Sequence, residues 1–184
     1  MTITILETTR LYLTVPQTSD LADLIALRTD PEVMRCIGGF GQAFGSGQIQ
    51  SIDEITEQLS LAQDYFDTHG LGFFCAFKKN NHDFIGQAGL FHWQFNTNQP
   101  QIELAYRLHQ QYWGKGYATE LAIALIDWGF KQRQLNRIIA PVHPGNTRSI
   151  RVLEKAGMQY QGPIHHKGHD LPCYSIASEP NKSE

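Results

Sequence analysis

The sequence predicts a mixed α/β domain built on one sheet with helices packed against it. Three observations lead there. Period-two apolar alternation clusters in the centre of the chain, and short polar turns separate the segments that carry it. Segments of helical period flank that centre on both sides. The last third then runs strand, helix, strand, helix, strand, which places helices on a sheet that is mixed in direction.

Each element follows from its residues. Leu11, Leu13 and Val15 alternate within Arg10 to Val15 and give a strand. Thr18 or Ser19 caps a helix through Arg28, with Leu21, Leu24, Ile25 and Arg28 at helical spacing. Asp30-Pro31 opens a short second helix, with proline at its favoured first position. Gly38 to Gly47 carries five glycines without periodicity and reads as a loop. Ser51 or Asp53 starts a helix to about His69, with Ile55, Leu59, Ala62 and Phe66 on its apolar face. Gly72 to Lys78 and Phe84 to Trp93 form a hairpin around the turn Asn80 to Asp83. A second turn, Phe95 to Pro100, leads into Gln101 to Leu108. There Ile102, Leu104, Tyr106 and Leu108 share one face, and Gln101, Glu103, Ala105 and Arg107 the other. A helix from about Gly116 to Gln132 presents Ala118, Leu121, Ala122, Leu125 and Trp128 or Gly129 to the core. Arg137 to Val142 is a strand. Asn146 to Ala156 is a helix closed by Gly157, and Tyr174 to Ala177 is the last strand.

Bulk properties bound the function. With 184 residues the chain suits one domain, assigned to 1–177, followed by a polar tail at 178–184. Hydrophobic residues make up 41% and charged residues 18%, the balance of a water-soluble fold. Lys and Arg number 15 against 18 Asp and Glu, and a formal charge of -3 provides no footprint for nucleic acid or an anionic membrane. The apolar start Met1 to Leu6 is too short for a secretory signal, and no stretch has the length of a membrane span. Cys36, Cys75 and Cys173 are odd in number and far apart, so they read as reduced thiols of a cytoplasmic protein.

The chemistry concentrates in Gln111-Tyr112-Trp113-Gly114-Lys115-Gly116-Tyr117-Ala118, between the alternating strand and the helix. A helix N-terminus exposes unpaired N–H groups and partial positive charge, and glycines let an anion approach the backbone. The pattern Q-x-x-G-x-G is thus either a phosphate cradle with Lys115 beside it or a tight turn that uses glycine for geometry alone. It is neither a nucleoside-triphosphate loop, which needs G-x-x-x-x-G-K-[ST], nor a dinucleotide fingerprint.

The wider context resembles one family. The strand, the Q-x-x-G-x-G turn and the following helix are similar to the acetyl-CoA motif of GNAT acetyltransferases. Asn146 to Met158 resembles the N-x-x-S-x-x-x-x-E-K-x-G-[FM] segment of the branch that contains ribosomal-protein (Rim-type) N-terminal acetyltransferases. Glu7-Thr8-Thr9-Arg10-Leu11-Tyr12-Leu13 is similar to that branch's E-T-x-R-L-x-L opening, and Asp30 to Met34 and Ile85-Gly86 match it too.

The resemblance implies a central, mostly antiparallel sheet that splays apart beside the turn, and acetyl-CoA as cosubstrate with no metal. The pantetheine arm would run along the backbone of Tyr106, Arg107 and Leu108. Its pyrophosphate would rest on Gln111, Tyr112, Trp113, Gly114, Lys115, Gly116, Tyr117 and Ala118. Asn146 would touch the arm as well as cap its helix. An amine would attack the thioester directly, which requires a base, an oxyanion donor and a proton for the thiolate. Glu103 is the expected base, and Ser149 the expected group at the thiolate, with Tyr174 in reserve. Arg148 and Arg151 are expected in solvent, or reaching cofactor phosphates.

His165, His166, His169 and Asp170 read as a surface loop beside the acceptor rather than a metal site. The loop Ile37 to Gly47, with Phe40 and Phe44, is expected to close over the acceptor. The acceptor is a small-molecule amine or a protein N-terminus, and the protein a monomer or homodimer. Two other readings share the residues: a coenzyme A-binding sensor without catalysis, and a transferase with a longer acyl donor.

Overall fold

A computed structural model describes residues 3–36, 50–93, 101–166 and 169–178. The loop expected to close over the acceptor, the turn at 95–100, Gly168 and the tail beyond Ser178 lie outside the described residues. Strands β1 (Thr4–Glu7) and β2 (Leu11–Thr14) precede helices α1 (Leu21–Arg28), α2 (Pro31–Met34) and α3 (Ile52–His69). Strands β3 (Gly72–Lys78), β4 (Phe84–Trp93) and β5 (Gln101–Leu108) follow. Then come α4 (Tyr117–Arg133), β6 (Arg137–Pro141), α5 (Thr147–Lys155), β7 (Gln159–His166) and β8 (His169–Ala177). Among the described residues eight strands form one sheet in the order β1-β2-β3-β4-β5-β6-β8-β7, antiparallel except at β5–β6.

Alternation sends the side chains of the central strands to separate cores on the two faces of the sheet, with a small third cluster of Trp93, Ile139 and Cys173. On one face Leu11, Leu13, Phe74, Leu90, Leu104 and Leu108 pack against Leu121, Leu125 and Trp128 of α4 and Leu153 of α5. On the other, Cys75 and Phe84 meet Leu24 and Leu27 of α1 and Ile55 and Leu59 of α3. Local signals set the helix ends. Ser51 and Glu54 form a reciprocal capping box at α3, and Gly70 ends that helix at φ 63°. The Asp30 carboxylate accepts the N–H groups of Glu32 and Val33 at α2.

Three expectations need correction. The strand β1 precedes the first expected one, pairing with β2 through a register shift between Thr4 and Leu6. A 3-10 turn, Thr18–Asp20, precedes α1, and the N–H of Gln17 donates to Asp20 Oδ2, so neither Thr18 nor Ser19 is the cap. The histidine segment is a hairpin, not a loop, with His165 opposite Asp170 and Pro163 opposite Pro172. Its strand β7 lies at the sheet edge and alternates only between exposed and half-buried residues, so it lacks the apolar signal that marks a strand. Proline is tolerated where no ladder N–H is required of it. His165 Nδ1 lies 2.8 Å from Asp170 Oδ1 in solvent. Among the described residues no His, Cys, Asp and Glu side chains gather as a metal-holding group. No described helix is long and apolar enough to cross a membrane.

Candidate active site

The site begins with a parting of strands. β5 and β6 run parallel but share register only at Glu103 and Ile139. Past that point β5 keeps β4 as its neighbour as far as Leu108, while β6 continues beside β8. The β6-facing backbone groups of residues 104–108 thus lack a strand partner among the described residues. A cavity occupies this gap. Glu103, Tyr106 and Arg107 of β5 line it, with Asn146 at the cap of α5 and Ser149 within it. Cys36, Phe73, Phe91, Leu104, Ala105, Ala140, Pro141, Val142, His143 and Leu153 are the other described residues that line it. Leu108, Gln111, Tyr112, Trp113, Gly114, Lys115, Gly116, Tyr117 and Ala118 do not line the cavity. They form the turn at the end of β5 and the start of α4.

Strand alternation divides the site's chemistry. Glu103, Ala105 and Arg107 point toward the α1–α3 side, and Tyr106 toward α4 and α5. The face read as polar is not solvated: Glu103 and Arg107 are each 3% exposed. Burial pushes the Glu103 carboxyl well above the usual carboxylate range. Among the described residues its Oε2 is buried without a hydrogen-bond partner. The indole Nε1 of Trp93 is equally unpartnered, and Trp93 sits on the same sheet face two residues from Phe91, the cross-strand partner of Glu103. Buried polar atoms almost always find partners, so a carboxylate left open in a cavity wall marks a place that receives a polar group.

Across β5, the Tyr106 hydroxyl lies 2.8 Å from Ser149 Oγ and donates to the Ser149 carbonyl at 3.2 Å. Asn146 Oδ1 accepts the N–H of Ser149 at 3.1 Å, fixing that residue in the first turn of α5. Burial pushes the Tyr106 phenol up, so it holds its proton at neutral pH. Sequence reasoning expected only the backbone of Tyr106 to matter. Its apolar-face position near the strand's end was the available sign, but its partner lies 43 residues away. Tyr174 does not line the cavity: it is buried on β8, opposite Ala140 and Tyr160.

The glycine turn presents the amides of residues 114–118, whereas the N–H groups of Tyr112 and Trp113, expected to meet phosphate, already donate to the carbonyls of His109 and Gln110 at 2.9 and 3.0 Å. Gly114 and Gly116 adopt φ 73° and 80°, a left-handed conformation that costs other residues energy. A Cβ at Gly114 would meet nothing within 4 Å, so backbone conformation rather than space selects glycine there. Gly116 is the N-cap of the 17-residue α4. The indole of Trp113 donates to the Leu108 carbonyl at 2.7 Å, tying the turn to β5. Arg148 is exposed, as expected, but its guanidinium stands over the Trp113 ring at 5.0 Å, bringing a second cation beside Lys115 to this end of the site.

The opening motif of the chain fastens the turn. The Glu120 carboxylate accepts from the Thr8 hydroxyl at 2.6 Å, the Arg10 N–H at 2.9 Å and Arg10 Nε at 2.6 Å. Arg10 Nη1 also donates to the Lys115 carbonyl at 3.1 Å. Burial raises the Glu120 carboxyl, but the hydrogen bonds from Thr8 and Arg10 outweigh it and hold the group below its ordinary value. Glu120→Gln removes the charge and one acceptor from this clamp. If the turn cradles phosphate, its dissociation constant for acetyl-CoA rises by about three- to tenfold, some 0.7–1.4 kcal/mol. Calorimetric titration checks this, and an unchanged constant would show that the clamp serves stability alone.

Comparison with known proteins agrees with this architecture. Residues 10–159 match the family model described as an acetyltransferase (GNAT) domain. The chain is 33% identical over 174 residues to the uncharacterized protein YkkB of Bacillus subtilis (strain 168), covering 94% of this chain and 95% of that one. It is 29% identical over 157 residues to the uncharacterized N-acetyltransferase p20 of Bacillus licheniformis, covering 85% and 83% respectively. In fold it is similar to spermidine N-acetyltransferase from Vibrio cholerae, solved in complex with CoA and spermine, with TM-score 0.70, 20% identity and coverage of 91% and 95%. Matched along most of its length, the chain belongs to the GNAT acetyltransferase family and is an acetyltransferase.

Proposed function

We propose that the protein transfers an acetyl group from acetyl-CoA to a primary amine by direct attack. The observation that carries this reading is the pairing of a buried Glu103 carboxyl, its Oε2 unpartnered among the described residues, with a Ser149–Tyr106 hydroxyl pair on opposite sides of one splayed strand. The chain's residues fit the donor. The open backbone edge at 104–108 suits an extended amide-bearing arm, and the amides of residues 114–118 with Lys115 and Arg148 suit its phosphates. The donor supplies an activated thioester carbonyl.

The remaining chemistry falls to side chains. Glu103 takes a proton from the incoming ammonium, directly or through one water, as the C–N bond forms. The C–S bond breaks on the other side of β5. There the Tyr106 hydroxyl lies 2.8 Å from Ser149 Oγ, and when its proton turns from the Ser149 carbonyl to Oγ the Ser149 hydroxyl is left to hydrogen-bond the departing thiolate. Alternation of one strand thus keeps base and acid from neutralising each other.

The Asn146 to Met158 segment and the Thr8–Arg10 clamp support placement in the branch containing the Rim-type N-terminal acetyltransferases, with a small-molecule amine or a protein N-terminus as acceptor. The cytoplasm is the compartment that suits three free cysteines, two of them buried. Titration with acetyl-CoA, using dephospho-acetyl-CoA and ATP as controls, tests the donor. Binding of acetyl-CoA and not ATP is expected. Absence of binding at millimolar acetyl-CoA overturns the reading.

A further inference from the structure

The α1–α3 side of the cavity holds two buried cations without an anion. Arg107 is 3% exposed and lines the cavity, and Arg28 of α1 is 4% exposed behind it. Both converge on one neutral acceptor. Gln87 Oε1 receives Arg28 Nε at 3.1 Å, Arg107 Nε at 3.1 Å and Arg107 Nη2 at 2.9 Å. Their other partners are neutral as well. Arg28 Nη1 donates to Gln58 Oε1 at 2.8 Å, and Arg107 Nη1 approaches Met34 Sδ at 3.7 Å. Arg107 also lies over the Phe73 ring at 4.8 Å.

Among the described residues neither arginine forms an ion pair. The neighbouring Cys75 thiol stays protonated, because burial and Asp20 raise it by more than the two arginines lower it. Glu103 shares the strand face, yet burial alone governs its carboxyl, with no offset from Arg107. Residues 37–49 and 94–100 contain no Asp or Glu. Burial and the neighbouring Arg28 push the Arg107 guanidinium well below its ordinary value, and burial lowers Arg28 to about 10, yet a guanidinium keeps its proton in proteins, so the strain is carried as unpaired charge. An uncompensated buried cation is costly, and two sharing one oxygen repel. A carboxylate arriving with a ligand would relieve both costs, and the planar guanidinium fork matches it in two hydrogen bonds.

We infer that the acceptor is an amine that also bears a carboxylate, bound through Arg107 with Arg28 behind it. This rests on the transferase reading and deepens it. Glu103, the amine end, and Arg107 stand four residues apart on one strand face, about 13 Å between Cα atoms at 3.3 Å per residue. An acceptor that spans them has its amine and carboxylate several bonds apart. The carboxylate belongs to a free amino acid with a distal amine or to the acidic side chain of a peptide N-terminus.

The test uses matched pairs with the full-length protein: γ-aminobutyrate against γ-aminobutyramide, lysine against lysinamide, and Ala-Asp against Ala-Asn peptides with amidated ends. Thiol release with acetyl-CoA gives kcat/KM for each member. In at least one pair the acid exceeds its amide by about tenfold or more, the contribution of one charge-assisted contact. The winning pair identifies the carboxylate's source. In Arg107→Met that ratio collapses toward one. The apolar replacement removes an unpaired buried charge, so the variant is expected to fold. A second readout needs no turnover: the acid, and not its amide, raises the Tm of the wild type by about 2–4 °C at saturation, and this shift is lost in R107M. Equal kcat/KM within every pair, with acetyl-CoA binding intact, overturns the inference and leaves the transferase reading standing. Failure to bind acetyl-CoA overturns the transferase reading, and the Tm comparison then still decides whether Arg107 holds a carboxylate.

Discussion

Glu103→Gln is expected to lower kcat/KM for acetyl transfer by about 10²–10⁴-fold, the usual span for loss of a positioned general base. Glutamine keeps the shape of the side chain and fills the same wall of the cavity, so the loss reports the carboxylate rather than a hole. The wild-type pH profile carries a second signature. Burial raises the Glu103 carboxyl well above the usual range, so activity climbs with pH as that group ionises. This rising limb disappears in E103Q. A limb that persists belongs to the acceptor amine, and a variant within threefold of wild type removes Glu103 from the mechanism.

The same substitution makes a stability prediction of opposite sign. A carboxyl whose folded pKa is raised keeps its proton in the native state while the unfolded chain has already lost it. The native state therefore binds more protons between the ordinary glutamate value and the raised one, and stability falls as pH rises through that window. Below the window the wild type and E103Q behave alike. Above it the wild type bears the cost of a buried charge that the variant lacks. Melting curves of the two proteins should coincide in acid and separate in alkali, with the variant higher. A residue that merely braced the fold would weaken it at every pH.

The local part of this molecule was legible in the sequence. Ser51 (offered beside Asp53), Asp30 with Pro31, and Asn146 ahead of Ser149 marked helix starts by chemistry that acts over three residues. The alternation in 101–108 assigned Glu103 and Arg107 to one face and Tyr106 to the other. It could not tell that the polar face is buried, because α1, α2 and the strands that cover it come from other parts of the chain. Nor could it find the clamp from Thr8 and Arg10 to Glu120, which closes over more than a hundred residues. The hairpin β7–β8 was missed because its outer strand faces solvent and carries glycine and proline. Hydrogen-bonded register, not apolar patterning, holds it.

The contact between Tyr106 and Ser149, 43 residues apart, yields the second large effect. Ser149→Ala removes the hydroxyl proposed to meet the departing thiolate, and kcat should fall by about 10- to 100-fold with little change in KM for acetyl-CoA, as for an interaction made only in the transition state. Tyr106→Phe leaves that hydroxyl in place but removes its 2.8 Å partner, and should cost about three- to tenfold. The double variant distinguishes a relay from two separate contributions. If Tyr106 acts through Ser149, its removal costs nothing further once Ser149 is alanine, and the double variant matches S149A. Full multiplication of the two losses would mean that Tyr106 touches the reacting atoms by its own route. Donors whose thiolates are better leaving groups sharpen the comparison, since they need less help from an acid. With such a donor the S149A deficit should shrink while the E103Q deficit stays. That contrast separates the two sides of β5 by chemistry, as the fold separates them in space.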